Sequence, residues 1–146
     1  MRYISFLILL MSSLELTYSQ QLTAEELLKK TIQYHDPDSL WDGFKASFYV
    51  TMESPKRPLR TSRITLDLKQ SFFDMDVQVE ENQWTATVED GACQFSFNGS
   101  KEISSEIKKE FRLNCERALM YRDYYTYLYG LPMKLRDLGT LIDSRV

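Results

Sequence analysis

The chain has 146 residues, and its 18 lysines and arginines against 21 aspartates and glutamates give a formal net charge of −3. Basic and acidic side chains alternate along it, so the extended cationic surface that binds nucleic acid is not expected. Five glycines, none of them in a phosphate-binding spacing, argue against a nucleotide cofactor, and no cofactor is predicted.

Residues 1–19 have the three zones of a secretory signal peptide. Arg2 supplies the positive start, residues 4–11 are nearly all apolar, and Thr17 and Ser19 are the small residues before a cleavage site predicted after Ser19. The apolar stretch is shorter than the roughly 20 residues that a membrane-spanning helix needs. We therefore predict an exported protein with no transmembrane segment after cleavage. The alternative is a buried N-terminal helix.

The mature segment, residues 20–146, has the length of one domain, and a helix is predicted at its start. Thr23 and Glu26 have the spacing of a capping box, and Leu28 and Ile32 lie on one helical stripe. The helix should end near Asp36, because the proline that follows disfavours helical geometry in the residue before it.

From residue 44 onward the apolar residues recur with a period of two, which is typical of half-buried strands. Five such segments follow one another, at residues 44–52, 64–68, 73–79, 84–88 and 93–97. Their connections have the length of turns, including a loop predicted at 54–58. Consecutive strands with short connections predict an antiparallel meander with one apolar and one polar face.

One group of basic side chains stands out beside the first predicted loop. We interpret these residues as solvated side chains that flank the hairpin, and the alternative is an anion site. The group consists of Lys56, Arg57, Arg60 and Arg63.

Catalytic and metal-binding patterns are weak. His35 is the single histidine, and it stands beside Asp36 and Asp38. Ligands from one short segment are a poor metal signal, since metal sites usually gather ligands from several elements. The sequence also has no G-x-S-x-G elbow for a nucleophilic serine. No catalytic residue and no metal site is predicted, and we expect a protein that is not an enzyme.

Cys93 and Cys115 are an even pair of cysteines in a chain that is expected to be exported. An oxidising compartment permits a disulfide between them, provided that their Cα atoms come within about 7 Å. Two buried free thiols are the alternative.

Helices should follow the strands from about residue 102, and the second of them is rich in tyrosine. Residues 121–129 contain five tyrosines before Gly130, which is a natural helix stop. A tyrosine has an apolar ring and a polar tip, so this helix suits either the lid of a hydrophobic cavity or a helix packed on the sheet with its hydroxyls in water.

Several of these segments together resemble a family of exported bacterial proteins of unknown function. The resemblance lies in the step YHDP at residues 34–37, the tyrosine-rich helix and the run YLYGLPMKL at residues 127–135. The shape it implies is similar to the periplasmic lipoprotein carriers of the LolA and LppX type, in which an open antiparallel half-barrel holds acyl chains under helices. Such carriers continue with further strands, so residues 20–146 are expected to be the N-terminal part of a longer fold.

The sequence and the resemblance together predict an α+β fold with an N-terminal helix, an antiparallel meander that forms part of a half-barrel, and helices over its apolar face. The expected function is a non-enzymatic carrier of lipid, acyl chains or another hydrophobic ligand, in the periplasm or on the outer face of a Gram-negative cell envelope. Protein partners are not predicted. The alternative is a structural or protein-interaction domain with a sealed core. The predicted ligand-binding residues are Phe48, Val50, Leu66, Phe73, Met75, Phe95, Tyr121, Tyr124, Tyr125 and Leu128.

Overall fold

A computed structural model describes residues 22–143 as a mixed α+β fold. The predicted signal peptide, residues 1–19, lies outside the described residues. Helix α1 is followed by five strands and two further helices, with short 3₁₀ turns at Trp41–Gly43 and Met133–Arg136. The elements in chain order are α1 (Ala24–His35), β1 (Lys45–Ser54), β2 (Arg57–Asp67), β3 (Phe72–Val79), β4 (Asn82–Glu89), β5 (Ala92–Phe97), α2 (Ser105–Glu110) and α3 (Cys115–Tyr129).

The capping box predicted at the start of α1 is confirmed. The backbone N–H of Glu26 donates to Thr23 Oγ1 at 3.2 Å, and the N–H of Thr23 donates to Glu26 Oε2 at 2.9 Å. After the helix, the carboxylate of Asp36 accepts from the backbone N–H groups of Leu40 and Trp41 at 2.7 and 3.1 Å. These bonds shape the link into the sheet.

The predicted antiparallel meander is also confirmed, with the strands in the order β1-β2-β3-β4-β5. Its tight turns explain the simple order. Asp90 and Gly91 form the two-residue β4–β5 turn with φ of 48° and 81°, the left-handed geometry that Asp-Gly favours in hairpins. The register then aligns one apolar row across all five strands: Phe48, Ile64, Met75, Ala86 and Phe95.

Strand β2 begins earlier than predicted, at Arg57. The predicted loop at 54–58 is therefore wrong in length, since only residues 55 and 56 form the turn. Pro58 is tolerated within the strand because pairing with β3 begins only at Arg60, so no β3 partner needs the missing N–H of Pro58. The correction places both Arg57, which was predicted in the loop, and Arg60, which was predicted beside it, within the sheet.

The core lies between the apolar face of the sheet and helix α3. Phe73, Ile64 and Val88 are fully enclosed on the sheet, and Ala118 and Tyr125 are buried on the helix. A disulfide joins Cys93 on β5 to Cys115, the first residue of α3, with the Cα atoms 5.5 Å apart. The bond fixes the start of the helix to the edge of the sheet.

Gly130 follows the last residue of α3, but its backbone geometry is not that of the predicted glycine stop. Its φ is −86°, which any residue adopts, so the left-handed geometry of a glycine stop is absent. A Cβ atom at this position would collide with the Trp41 ring and would lie 2.6 Å from the backbone oxygen of Thr126. Glycine is required here by space.

Candidate functional site

A cavity of about 340 Å³ opens between the sheet and the start of α3. Its floor comes from β3, β4 and β5, and its roof from α3 and the segment that precedes it. Such a volume is at the low end of ligand pockets, which span ~300 to 1,000 Å³. Most lining side chains are apolar or cationic, and the others are one acidic side chain, Glu110, and two neutral polar ones, Asn114 and Tyr121. The lining residues are Arg57, Arg60, Met75, Trp84, Ala86, Phe95, Glu110, Phe111, Arg112, Leu113, Asn114, Arg117, Ala118 and Tyr121.

The apolar floor follows directly from strand register. Met75 is paired with Ala86, and Ala86 with Phe95, so three neighbouring strands present one continuous row. Ala86 is the smallest side chain of that row, and its neighbours Met75 and Phe95 are larger. Phe111 forms the wall, with its ring centroid 5.2 Å from that of Trp84. The floor and one wall of the cavity are therefore apolar.

Two arginines meet on one tyrosine at the rim of the cavity. Arg60 Nη1 donates to the hydroxyl of Tyr121 at 3.3 Å, and Arg117 Nη2 donates to the same hydroxyl at 3.1 Å. Both guanidinium carbons lie near the Tyr121 ring, 5.4 Å and 5.0 Å from its centroid. Arg60 Nε also donates to the buried Ser62 Oγ at 3.2 Å. These contacts hold two positive charges together over one half-buried ring.

The pKa of Tyr121 reflects this cationic environment. Burial alone raises the pKa of the hydroxyl, but the hydrogen bond from Arg60 and the charges of Arg60 and Arg117 together lower it below its ordinary value. Tyr125, one helical turn further on, has a raised pKa because burial dominates there. The two tyrosines therefore lie in different surroundings on the same helix.

The predicted ligand-binding residues separate into three groups in the structure. Met75, Phe95 and Tyr121 line the 340 Å³ cavity, and Leu66 lines a smaller one of about 190 Å³. A second group lies in the packing between sheet and helix and not on the main cavity: Phe48, Val50, Phe73 and Tyr125. Tyr124 and Leu128, 56% and 48% exposed, lie on the outer face of α3.

Sequence analysis raised Arg57 and Arg60 as an anion site only as the alternative to solvated side chains, and it did not single out Arg117. The positions of Arg60 and Arg117 could both have been predicted from sequence spacing. Arg60 precedes Ile64 by an even number of residues, so strand alternation places it on the apolar face. Arg117 precedes Tyr121 by four residues, which places both side chains on one face of α3.

A larger groove of about 550 Å³ lies near the C-terminal 3₁₀ turn, and three of its charged side chains already have partners. Asp36 accepts the two backbone bonds of the loop, and Lys134 forms an ion pair with Asp137. The 340 Å³ cavity differs in having four arginines that form no ion pair within the described residues.

Groups suited to metal binding or covalent chemistry are scarce in the part of the chain that the structure describes. Within residues 22–143 there is no cluster of three or more His, Cys, Asp or Glu side chains able to hold a metal ion. Cys93 and Cys115 are joined, so neither presents a thiol. No helix in this range is long and apolar enough to cross a membrane.

Comparison with protein-family models gives a match over nearly the whole chain. A family model described as a family of unknown function, DUF6503, matches residues 3–146. No curated protein and no solved structure matches the chain.

Proposed function

Because the chain belongs to the DUF6503 family of unknown function, its role has to be argued from its own surfaces, and we propose that it is a non-enzymatic binding protein for a hydrophobic ligand. The observation that carries the proposal is the 340 Å³ cavity over the row of Met75, Ala86 and Phe95. Apolar burial there would drive binding at ~25 cal/mol per Å² before ordering costs.

The proposal extends to fold and location. The order of a helix, a five-stranded meander and helices over one face supports a half-barrel of the LolA and LppX type. The pattern in residues 1–19 supports export to the cell envelope, where carrying hydrophobic molecules through water is a real task. Expression of the full chain, fractionation and mass spectrometry of the N-terminus test the location. A protein that begins at Gln20 outside the cytoplasm is expected, and retention of residues 1–19 on a cytoplasmic protein would contradict it.

Ligand binding is tested by organic extraction of the purified protein, lipid mass spectrometry, and displacement of a fluorescent fatty acid. Ala86→Leu should fill the cavity from its floor and weaken binding about tenfold or more, since overpacking a binding site costs ~1 to 3 kcal/mol. Gln94→Leu is the matched control, because Gln94 is exposed on the opposite, polar face of the sheet. Equal affinity of the two variants, or no bound or displaced lipid at all, would exclude the proposal.

A protein-interaction domain is the second candidate, and the outer face of α3 favours it. Tyr124, Tyr127 and Leu128 are each about half exposed there. Leu128→Glu should abolish any association through this face while leaving fatty-acid displacement unchanged. Sedimentation of the purified protein with and without the substitution measures the first effect, and an unchanged association state would count against this second role.

A further inference from the structure

The cavity arginines have no acidic partner, in contrast to other arginines of the sheet and helix. Arg63, three residues after Arg60, pairs with Asp76 at 3.6 Å, and Arg122, five residues after Arg117, pairs with Asp123 at 2.8 Å. Across residues 22–143, neither Arg60 nor Arg117 forms an ion pair. The two guanidinium groups thus donate to the same tyrosine hydroxyl and contact no carboxylate within the described residues.

Electrostatic repulsion makes this arrangement of charges costly. Like charges held together repel, and partial burial weakens the screening that water supplies. The other charged side chains that line the cavity are Arg57 and Arg112, which add positive charge, and Glu110, which forms no ion pair with any of the four in the described chain. The rim therefore carries four positive charges against one negative charge. An anion placed there would relieve the repulsion.

The hydrogen-bonding capacity of the two arginines also favours a bound anion. A guanidinium has five N–H donors arranged to bind carboxylate or phosphate oxygens in pairs. Arg117 uses one of them on Tyr121, and Arg60 contacts the Ser62 and Tyr121 oxygens and, weakly, Met75 Sδ at 3.6 Å. No side-chain nitrogen or oxygen buried in residues 22–143 lacks a partner, so the remaining donors are open to solvent or to a ligand.

We infer that Arg60 and Arg117 bind the oxyanion end of an amphiphilic ligand whose apolar part lies against Met75, Phe95 and Phe111. Tyr121 holds the two guanidinium groups in position. The inference rests on the proposed function, since the apolar part uses the same cavity, and it narrows the ligand class from hydrophobic molecules to anionic amphiphiles. The head group is a carboxylate or a phosphate.

Calorimetric titration with three ligands of equal chain length tests the inference: dodecanoate, dodecyl phosphate and the uncharged dodecanol. The full mature protein should bind the better of the two anions at least about tenfold more tightly than dodecanol, because charge-assisted bonds add to apolar burial. Comparison of the two anions identifies the head group. Arg117→Gln and Arg60→Gln should each weaken anion binding about tenfold and leave dodecanol affinity unchanged.

Arg63→Gln is the matched control, because Arg63 lies on the polar face of the same strand and should alter neither affinity. Circular dichroism checks that each variant is folded. If a variant does not fold, the salt dependence of anion binding by the unaltered protein replaces it, and a clear loss of affinity with added salt is expected. Equal binding of dodecanol and both anions, insensitive to salt, would overturn this inference and leave the proposed function standing. No binding of any of the three ligands would overturn both.

Discussion

Replacing Cys93 and Cys115 together by alanine should lower the free energy of unfolding by about 3 kcal/mol. The bond spans a sequence separation of 22. In the chain-entropy model the closed loop removes about 11 cal/mol/K from the unfolded ensemble, as the sum of a constant of about 2 and a length term of about 9, and this equals about 3 kcal/mol at 25 °C. Cys93 packs against the core, so truncation adds a further loss of the same sign.

Urea denaturation followed by circular dichroism measures the effect. The unaltered protein should lose a similar amount of stability when dithiothreitol is added, whereas the alanine variant should not respond to the reductant. A change below about 1 kcal/mol, or an equal response of both proteins to reductant, would refute the entropic account of this bond.

The bond also bears on the site. Arg117 and Ala118 follow Cys115 within one helical turn, and both line the 340 Å³ cavity. Release of the helix start should therefore weaken ligand binding as well as stability, because the roof of the cavity would have to be ordered again on binding.

Phe73→Ala should lower the free energy of unfolding by ~3 to 5 kcal/mol, because the Phe73 side chain is fully buried and its removal leaves a cavity. Urea denaturation measures this change, and a loss below about 1 kcal/mol would contradict the place of Phe73 in the core. Alkaline titration followed by ultraviolet absorbance compares the two tyrosines. Tyr121→Phe should remove a tyrosine whose pKa is below 10.0, and Tyr125→Phe should remove a tyrosine whose pKa is above 10.0. A higher pKa for Tyr121 than for Tyr125 would refute the cationic field around Tyr121. The hydrogen bond from Lys45 lowers the pKa of Asp67 below 3.8, although burial acts in the opposite direction. The pair therefore stabilises the folded protein above pH 3.8, and this stabilisation is lost as the pH falls through the pKa of Asp67 in the folded state. Lys45→Met should therefore destabilise the protein at pH 7 and show a shrinking deficit in acid, and a deficit that does not change with pH would exclude this origin.

The meander could be predicted because its information is local. Alternation fixes which face each strand residue takes, and Asp90-Gly91 specifies a tight hairpin turn by its own backbone preference. The capping box of α1 is local in the same sense, since Thr23 and Glu26 lie three residues apart. In each case the sequence neighbours are also the spatial neighbours.

Depth within the core could not be predicted in this way. Phe73 and Met75 share a strand and a face, yet Phe73 is sealed beneath Tyr125 while Met75 borders the open cavity. The difference depends on where α3 crosses the sheet, and that is set by contacts between residues far apart in the chain. Periodicity carries no information about it.

A wrong strand boundary left Arg60 outside the predicted sheet. Pro58 suggested a loop, so the basic residues beside it, including Arg60, were interpreted as solvated. At Pro58, however, β2 has a neighbouring strand on one side only, and a proline is tolerated there. Continuing the alternation backward from Ile64 through Ser62 would have placed Arg60 on the apolar face. A charged residue at an apolar position is the informative exception in such a pattern.

Two successive turns of the tyrosine-rich helix α3 lie in different surroundings. Tyr125 stacks over Phe73 with ring centroids 6.5 Å apart and closes the core, whereas Tyr121, one turn earlier, borders the cavity and holds two arginines. The disulfide fixes the helix start beside β5, so the space under Tyr121 is kept by a covalent restraint and does not depend on apolar contacts alone. If the proposed ligand binds in this cavity, stability and binding depend on different turns of one helix, and a small domain can then hold an open cavity without giving up its core.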